Sequence, residues 1–125
     1  MLKRTTALAI MLGLASTASA HELAKGPNGG PLVDVAGHHI EMVAKGTDLV
    51  LILTDATDKP LSSAGTKAAR AIVQDAGKTA TVALSPVEPN KLVGTLAQPL
   101  GAGARIVISA TLADGHALQA RFTNN

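Results

Sequence analysis

The chain has 125 residues, of which 46% are hydrophobic and one, Phe122, is aromatic. This length suits one domain with a small core. Because the chain has no cysteine, disulfide scaffolds, thiolate metal sites and cysteine nucleophiles are excluded. Without tryptophan or tyrosine, the chain also lacks the aromatic platforms on which single-strand nucleic-acid binders stack bases.

The first twenty residues have the pattern of a secretory signal peptide. Lys3 and Arg4 form a positive start, residues 7–14 are apolar, and residues 18–20 (Ala-Ser-Ala) have the small-x-small cleavage pattern. The apolar run is shorter than the ~20 residues that a membrane-spanning helix needs. We therefore predict that residues 1–20 are removed, that the protein is exported to the periplasm, and that the mature chain has no membrane span.

The formal net charge of +2 is carried by that leading segment, through Lys3 and Arg4. A mature chain that begins at His21 is therefore formally neutral. The basic isoelectric point of 9.2 then gives no argument for binding to nucleic acid or to an anionic membrane surface.

Residues 21–30 are predicted to form a flexible tail, because Gly26-Pro27-Asn28-Gly29-Gly30 can continue neither a helix nor a strand ladder. From residue 31 to residue 125, short apolar runs alternate with turn residues. The runs predicted as strands are 32–35, 38–45, 49–54, 68–74, 79–85, 91–97, 105–112 and 116–122.

Strict alternation supports the strand assignment. Ile106 and Ile108 share one face of their run, while Arg105 and Ser109 share the other. Asp114-Gly115 is a two-residue hairpin signal between the last two runs. Only residues 68–71 would also suit a helical turn. We predict an all-β domain, an immunoglobulin-like antiparallel β-sandwich of about seven to eight strands.

Enzyme motifs are missing from the sequence. It contains no nucleophile-elbow, phosphate-loop or dinucleotide-binding pattern. Gly101-Ala102-Gly103 precedes a predicted strand rather than a helix, so a flexible turn explains it. We predict that the protein is not an enzyme.

The chain has four histidines, and His21 would be the new N-terminus after cleavage. An N-terminal histidine offers its amine and its ring Nδ1 to one metal ion. Such nitrogen ligands suit Cu(II), followed by Ni(II) or Zn(II). The alternative is that His21 is an arbitrary polar residue at a cleavage site.

His38 and His39 open the second predicted strand, and neighbouring strand residues face opposite ways. The pattern places His38 and Met42 on the inward face, with Met42 as a core residue rather than a ligand. It places His39 and Glu41 on the outward face. Such a histidine–glutamate pair either supports a metal ion or forms part of a solvated face.

Asp114-Gly115-His116 has two interpretations, hairpin turn or Asp-x-His metal pair. If the strands run up and down in succession, the second and eighth strands begin at the same end of the sandwich. His38, His39 and His116 would then be neighbours at one rim. The candidate metal ligands are His21, His38, His39, Glu41, Asp114 and His116.

Several short motifs of the chain occur together in a known family. They are Gly26-Pro27-Asn28-Gly29-Gly30, Gly37-His38-His39-Ile40-Glu41-Met42-Val43, Leu53-Thr54-Asp55, Lys59-Pro60, Gly65-Thr66-Lys67-Ala68 and Ala120-Arg121-Phe122. In these motifs the chain resembles a small periplasmic domain that is fused to the adaptor subunits of heavy-metal efflux systems of the copper/silver and cobalt–zinc–cadmium type, and that also occurs alone. Members often carry a histidine where Asn28 stands, and Glu41 matches their acidic position.

A fainter resemblance is to CopC-type periplasmic copper carriers, which are also β-sandwiches. They begin the mature chain with a histidine and carry an Asp-x-His pair near the C-terminus. His21, Asp114 and His116 fill those positions here.

These observations predict a monomeric periplasmic protein of heavy-metal homeostasis. It would bind Cu(II), or less favourably Zn(II) or another divalent ion, and buffer it or deliver it to an efflux adaptor subunit. The alternative is a metal-free interaction module that docks on such an adaptor or on another envelope protein.

Overall fold

The computed structural model describes residues 21–23 and 25–125, with side chains from residue 25 onward. Ten strands are present in these ranges. They are β1 (His21–Leu23), β2 (Leu32–Val35), β3 (His38–Lys45), β4 (Asp48–Thr54), β5 (Lys67–Asp75), β6 (Lys78–Ala83), β7 (Ser85–Val87), β8 (Lys91–Thr95), β9 (Arg105–Thr111) and β10 (Ala117–Thr123).

The strands form two antiparallel sheets that pack as a sandwich. One sheet has the order β1-β2-β3-β4-β8-β7, and the other has the order β10-β9-β5-β6. The predicted all-β sandwich is therefore confirmed. The described residues contain ten strands rather than seven or eight, because β1 and β7 were not predicted.

Strand β7 escaped prediction because it contains Pro86. Proline lacks the N–H group that a central strand needs, and so it argues against a strand. In the structure β7 pairs only with β8, at the edge of its sheet, where the missing donor breaks no ladder.

The core lies between the two sheets and follows the predicted alternation. Met42 is fully buried on β3, which confirms its place in the core. Ile106 and Ile108 of β9 and Phe122 of β10 belong to the same buried cluster as Met42. A buried side chain of this size stabilises the fold by about 1.5–3 kcal/mol relative to an exposed one.

Residues 68–71, for which a helical turn was an alternative, belong to β5. The strand register against β9 shifts between Lys67 and Arg70, and Ala68 has a φ of 52°. One extra residue on β5 forms a β-bulge, which explains why this stretch does not show simple alternation.

Two hairpin turns lie close together at one end of the sandwich. Ala36 and Gly37 connect β2 to β3, with φ values of 50° and 83°. Within the connection between β9 and β10, the chain reverses over three residues, Ala113 to Gly115, which are enclosed by a hydrogen bond from the Leu112 N–H to the His116 carbonyl. The sequence predicted a two-residue turn there. The longer turn ends on Gly115 at a φ of 92°, as three-residue hairpin loops commonly do.

In the part of the chain that the structure describes, no helix is long and apolar enough to cross a membrane.

Candidate functional site

Two histidine rings meet at the end of the sandwich, each directly after a hairpin turn. The ring centroids of His38 and His116 are 6.1 Å apart, and the ring planes are inclined by 58°. His38 is half-buried, whereas the His116 side chain is 68% exposed. His38 begins β3 in one sheet, and His116 directly precedes β10 in the other, so the packing of the two sheets brings the rings together.

Asp114 orients the His116 ring. Its Oδ1 accepts a hydrogen bond from the His116 backbone N–H at 2.9 Å, and its Oδ2 lies 2.7 Å from the ring Nδ1. The backbone bond, then the ring bond, lowers the pKa of the Asp114 carboxyl below its ordinary value, and the nearby His116 and His38 act in the same direction.

An ionised carboxylate can only accept hydrogen bonds, so Nδ1 of the His116 ring carries the hydrogen. In the neutral ring, Nε2 then presents a lone pair. This carboxylate–histidine arrangement is the one that orients histidine ligands in metal sites and makes them more basic.

His38 supplies a second unused nitrogen. Its Nδ1 is buried and has no hydrogen-bond partner among the described residues. A buried polar atom without a partner costs free energy, about 1–3 kcal/mol when a donor or acceptor is left unpaired. A ligand that occupies this nitrogen would relieve that cost.

The distance between the two rings is compatible with a shared ion. A metal–imidazole bond is ~2.0–2.1 Å long, so two rings on one ion have centroids at most about 6.5 Å apart. The observed 6.1 Å lies just inside this limit, so an ion shared at this separation would have the two rings on nearly opposite sides, at an angle wider than the tetrahedral one.

The five predicted ligands whose side chains the structure describes do not form one cluster. Across residues 25–125, no group of three or more His, Asp, Glu or Cys side chains is placed to hold a metal ion together. His38 and His116 are therefore a pair, with Asp114 behind one of them. An ion bound there would keep coordination positions open to water or to another molecule.

His39 lies away from this pair, on the other face of β3. Its Nδ1 is 3.0 Å from Oδ1 of Asp58, and its Nε2 is 3.8 Å from Oδ2 of Asp34. The ring is only 16% exposed. The expectation that His39 joins His38 and His116 is corrected, because the alternation of β3 turns it towards the carboxylates of β2 and of the β4–β5 loop.

His21 is placed only by its backbone, which pairs with Asp34 in the β1–β2 register. Asp34 in turn pairs with His39 in the β2–β3 register. The His21 side chain lies outside the described residues, as does the predicted signal peptide.

Glu41 is buried rather than solvated, with 2% of its surface exposed. Its Oε2 accepts hydrogen bonds from the backbone N–H groups of Asn28 and Gly30, both at 2.9 Å, and its Oε1 accepts one from the Asn28 amide at 3.0 Å. The expectation of a solvated or metal-supporting pair with His39 is corrected, because residues 26–30 cover this part of the outer face.

Sequence reasoning missed the hydrogen-bond and charge partners of Glu41 and of His39. Asn28 and Gly30 belong to a segment predicted as a flexible tail, yet Gly30 is buried against the carbonyl of Met42. The signal was present in the glycine-rich run, whose N–H groups have no ladder partner and so need an acceptor. Asp34 and Asp58 gave no comparable signal, since both lie in ordinary turn or strand positions.

Comparison of the chain with protein-family models, with curated proteins and with solved structures finds no match in any of the three.

Proposed function

We propose that this protein takes part in heavy-metal homeostasis in the periplasm by binding a divalent transition-metal ion between His38 and His116. The observation that carries the proposal is the pair of rings 6.1 Å apart, one oriented by Asp114 and the other with a buried, unpartnered nitrogen.

Two neutral imidazoles favour Cu(II) over Zn(II), following the usual order of affinities for nitrogen ligands. Among residues 25–125, no soft ligand competes for the ion. The chain has no cysteine, and Met42 is enclosed in the core. Within this part of the chain, an ion that prefers thiolate or thioether sulfur therefore finds no sulfur ligand at this rim.

The location of the pair suits a protein that passes an ion on. His116 and Asp114 are largely exposed, and the rim is formed by two short turns. Because residues 25–125 supply only two ring ligands, the open positions let an acceptor attach before the ion leaves. Delivery to an efflux adaptor subunit follows from the resemblance to the domain found in such adaptors, and export follows from the signal-peptide pattern.

The test is calorimetric titration of the untagged, exported protein with Cu(II) and with Zn(II). We expect wild-type protein to bind Cu(II) more tightly than Zn(II). His38→Ala and His116→Ala should each weaken Cu(II) binding at least tenfold, whereas His39→Ala is the matched control and should leave it unchanged.

Binding no tighter than that of an unstructured histidine-containing peptide contradicts the proposal. In that case the metal-free interaction module becomes the better description. In the host, a strain lacking the protein should lose tolerance to copper and regain it with the wild-type gene but not with His116→Ala.

A further inference from the structure

The outer face of the four-stranded sheet, β10-β9-β5-β6, carries a group of positive charges. Arg105 on β9 and Arg121 on β10 alternate with buried residues, so both side chains point away from the core, and both are exposed. Lys67 and Arg70 of β5 are exposed on the same face, as their register against β9 shows. The four cations therefore come from three neighbouring strands of one sheet.

No carboxylate among residues 25–125 forms an ion pair with any of these four cations. Asp75 is the one acidic residue in the four strands of this sheet, and the alternation of β5 turns it inward. Its carboxylate there accepts a hydrogen bond from the Gly101 N–H at 2.8 Å. The outer face of the other sheet differs, because Lys45 on β3 lies opposite Asp48 on β4. Positive charge is thus concentrated on one face of a mature chain that is formally neutral.

Two half-buried aliphatic side chains lie between the cations. Ile72 on β5 is opposite Val107 on β9, and Val107 is opposite Arg121 on β10. Neither aliphatic side chain belongs to the buried core between the sheets. A small apolar centre with a polar border is the usual anatomy of a protein–protein interface, where arginine is enriched.

We propose that this face docks a partner protein whose surface presents carboxylates around a small apolar patch. The inference does not depend on the proposed metal site. Charge complementarity selects the partner, because three of the four cations are arginines, which bind carboxylates through two parallel hydrogen bonds. Complementary charges across an interface also favour the correct partner and speed its approach.

The chemistry of the face favours a protein over a nucleic acid or a membrane. Sheets that bind single-stranded nucleic acid stack bases on exposed aromatic rings, and the single aromatic residue of this chain, Phe122, is buried in the core. Attachment to a membrane surface needs apolar side chains that insert between the lipids. Ile72 and Val107 are half-buried in the sheet and do not protrude for this purpose.

The dimensions of the face suit a transient partner. A strand of the length of β9 extends for about 24 Å, and four strands are about 19 Å wide. The face therefore covers about 450 Å² of each partner, which is within the range of weak and transient interfaces.

The test follows the backbone amide signals of the untagged, exported protein by nuclear magnetic resonance during titration with a blocked peptide, Glu-Glu-Leu-Leu-Glu-Glu. The peptide surrounds an apolar pair with carboxylates. We expect the signals that shift to belong to β5, β9 and β10, while those of β3 and β4 keep their positions. Affinity should fall at least tenfold when the salt concentration rises from about 0.05 M to about 0.5 M, because exposed charges are screened.

Matched variants separate this docking face from non-specific attraction. Arg105→Gln combined with Arg121→Gln removes two exposed charges and should weaken peptide binding at least tenfold. Ile72→Thr keeps every cation and a residue that favours strands, and it should weaken binding at least threefold. Lys91→Gln removes an exposed lysine from β8 in the other sheet, so it should bind the peptide like the wild type.

Absence of peptide binding, or shifts spread over both sheets, overturns the proposal. Equal affinity for a peptide in which serines replace the leucines also overturns it, because charge alone then explains the binding. Vesicles of phosphatidylcholine and phosphatidylglycerol are the second probe, and we expect no binding to them at about 0.15 M salt. Binding to these vesicles through the same arginines, without binding to the peptide, would assign the face to a membrane surface instead.

Discussion

His38 and His116 are 78 residues apart in the chain, yet their ring centroids lie 6.1 Å apart at one end of the sandwich. Each ring follows a hairpin turn, and each turn contains a glycine at positive φ, Gly37 or Gly115. Neither histidine belongs to the buried core of the sandwich. Their proximity is the observation on which the proposed metal site rests.

Asp114→Asn tests whether the carboxylate supports the metal site. Asparagine keeps the Oδ1 acceptor for the His116 N–H and suits the same turn, but it loses the charge that holds the ring hydrogen on Nδ1. Loss of such an outer partner typically weakens metal binding about 10–100-fold. We expect that loss in calorimetry, with little change in urea denaturation. Unchanged affinity would show that Asp114 serves the turn alone.

Glu41→Ala tests the attachment of residues 26–30 to the outer face of β3. It removes the acceptor of three hydrogen bonds and leaves the buried N–H of Gly30 without a partner. An unsatisfied buried group costs about 1–3 kcal/mol, so we expect a loss of about 2–3 kcal/mol in unfolding free energy. Asn28→Ala removes only the side-chain bond and should cost about 1 kcal/mol. Equal losses in urea denaturation would contradict this account.

Glycine is required at positions 29 and 30 for different structural reasons, a positive φ at Gly29 and a close backbone approach at Gly30. A Cβ on Gly30 would lie 2.0 Å from the Met42 carbonyl oxygen, so β3 would have to move. A Cβ on Gly29 meets nothing within 4 Å, and only its φ of 81° opposes it. We expect Gly30→Ala to cost about 3 kcal/mol and Gly29→Ala about 1 kcal/mol in thermal unfolding. The opposite order would refute the close approach.

The hydrogen bonds of Asp55 predict that the free energy of unfolding depends on pH. Its Oδ1 accepts hydrogen bonds from the hydroxyl and N–H of Thr57 and from the N–H of Lys59. These bonds, the hydroxyl first, lower the pKa of Asp55 below the ordinary 3.8. A carboxyl with a lowered pKa stabilises the fold above its unfolded pKa, and this contribution is lost as the pH falls through the folded pKa.

Asp55→Asn removes the titration and keeps the shape of the side chain. We expect the wild type to exceed this variant in unfolding free energy by a constant amount above about pH 5. The difference should shrink as the pH falls below about 4. A difference that stays constant down to about pH 2 would mean that the charge of Asp55 is not involved.

The strands could be predicted wherever the information is local. Residues 32–35 and 38–45 coincide with β2 and β3, because alternation and the Ala36-Gly37 turn fix both the period and the boundary. The burial of Glu41 could not be predicted in this way. Its position on the outer face follows from alternation, but the segment that covers that face approaches through contacts 11 to 13 residues away in sequence.

The candidate site could be predicted in part, because local turn and strand patterns fix where each strand begins. Counting strands placed His38 and His116 at one end, since both follow turns of antiparallel hairpins. The count could not tell that His39, one residue later on β3, meets Asp58 from the β4–β5 loop. Loop conformation decides that contact, and neither periodicity nor turn chemistry specifies where the Asp58 carboxylate lies.

The central claim is that a metal ion binds between His38 and His116. The most direct test is nuclear magnetic resonance of the histidine ring signals during titration with Zn(II), with ring signals assigned by single His→Ala variants. The account predicts that the ring signals of His38 and His116 shift together and saturate together. The ring signals of His39, which lies near the carboxylates of Asp34 and Asp58, should not shift. Shifts confined to His39, or no coupled change at His38 and His116, would contradict it.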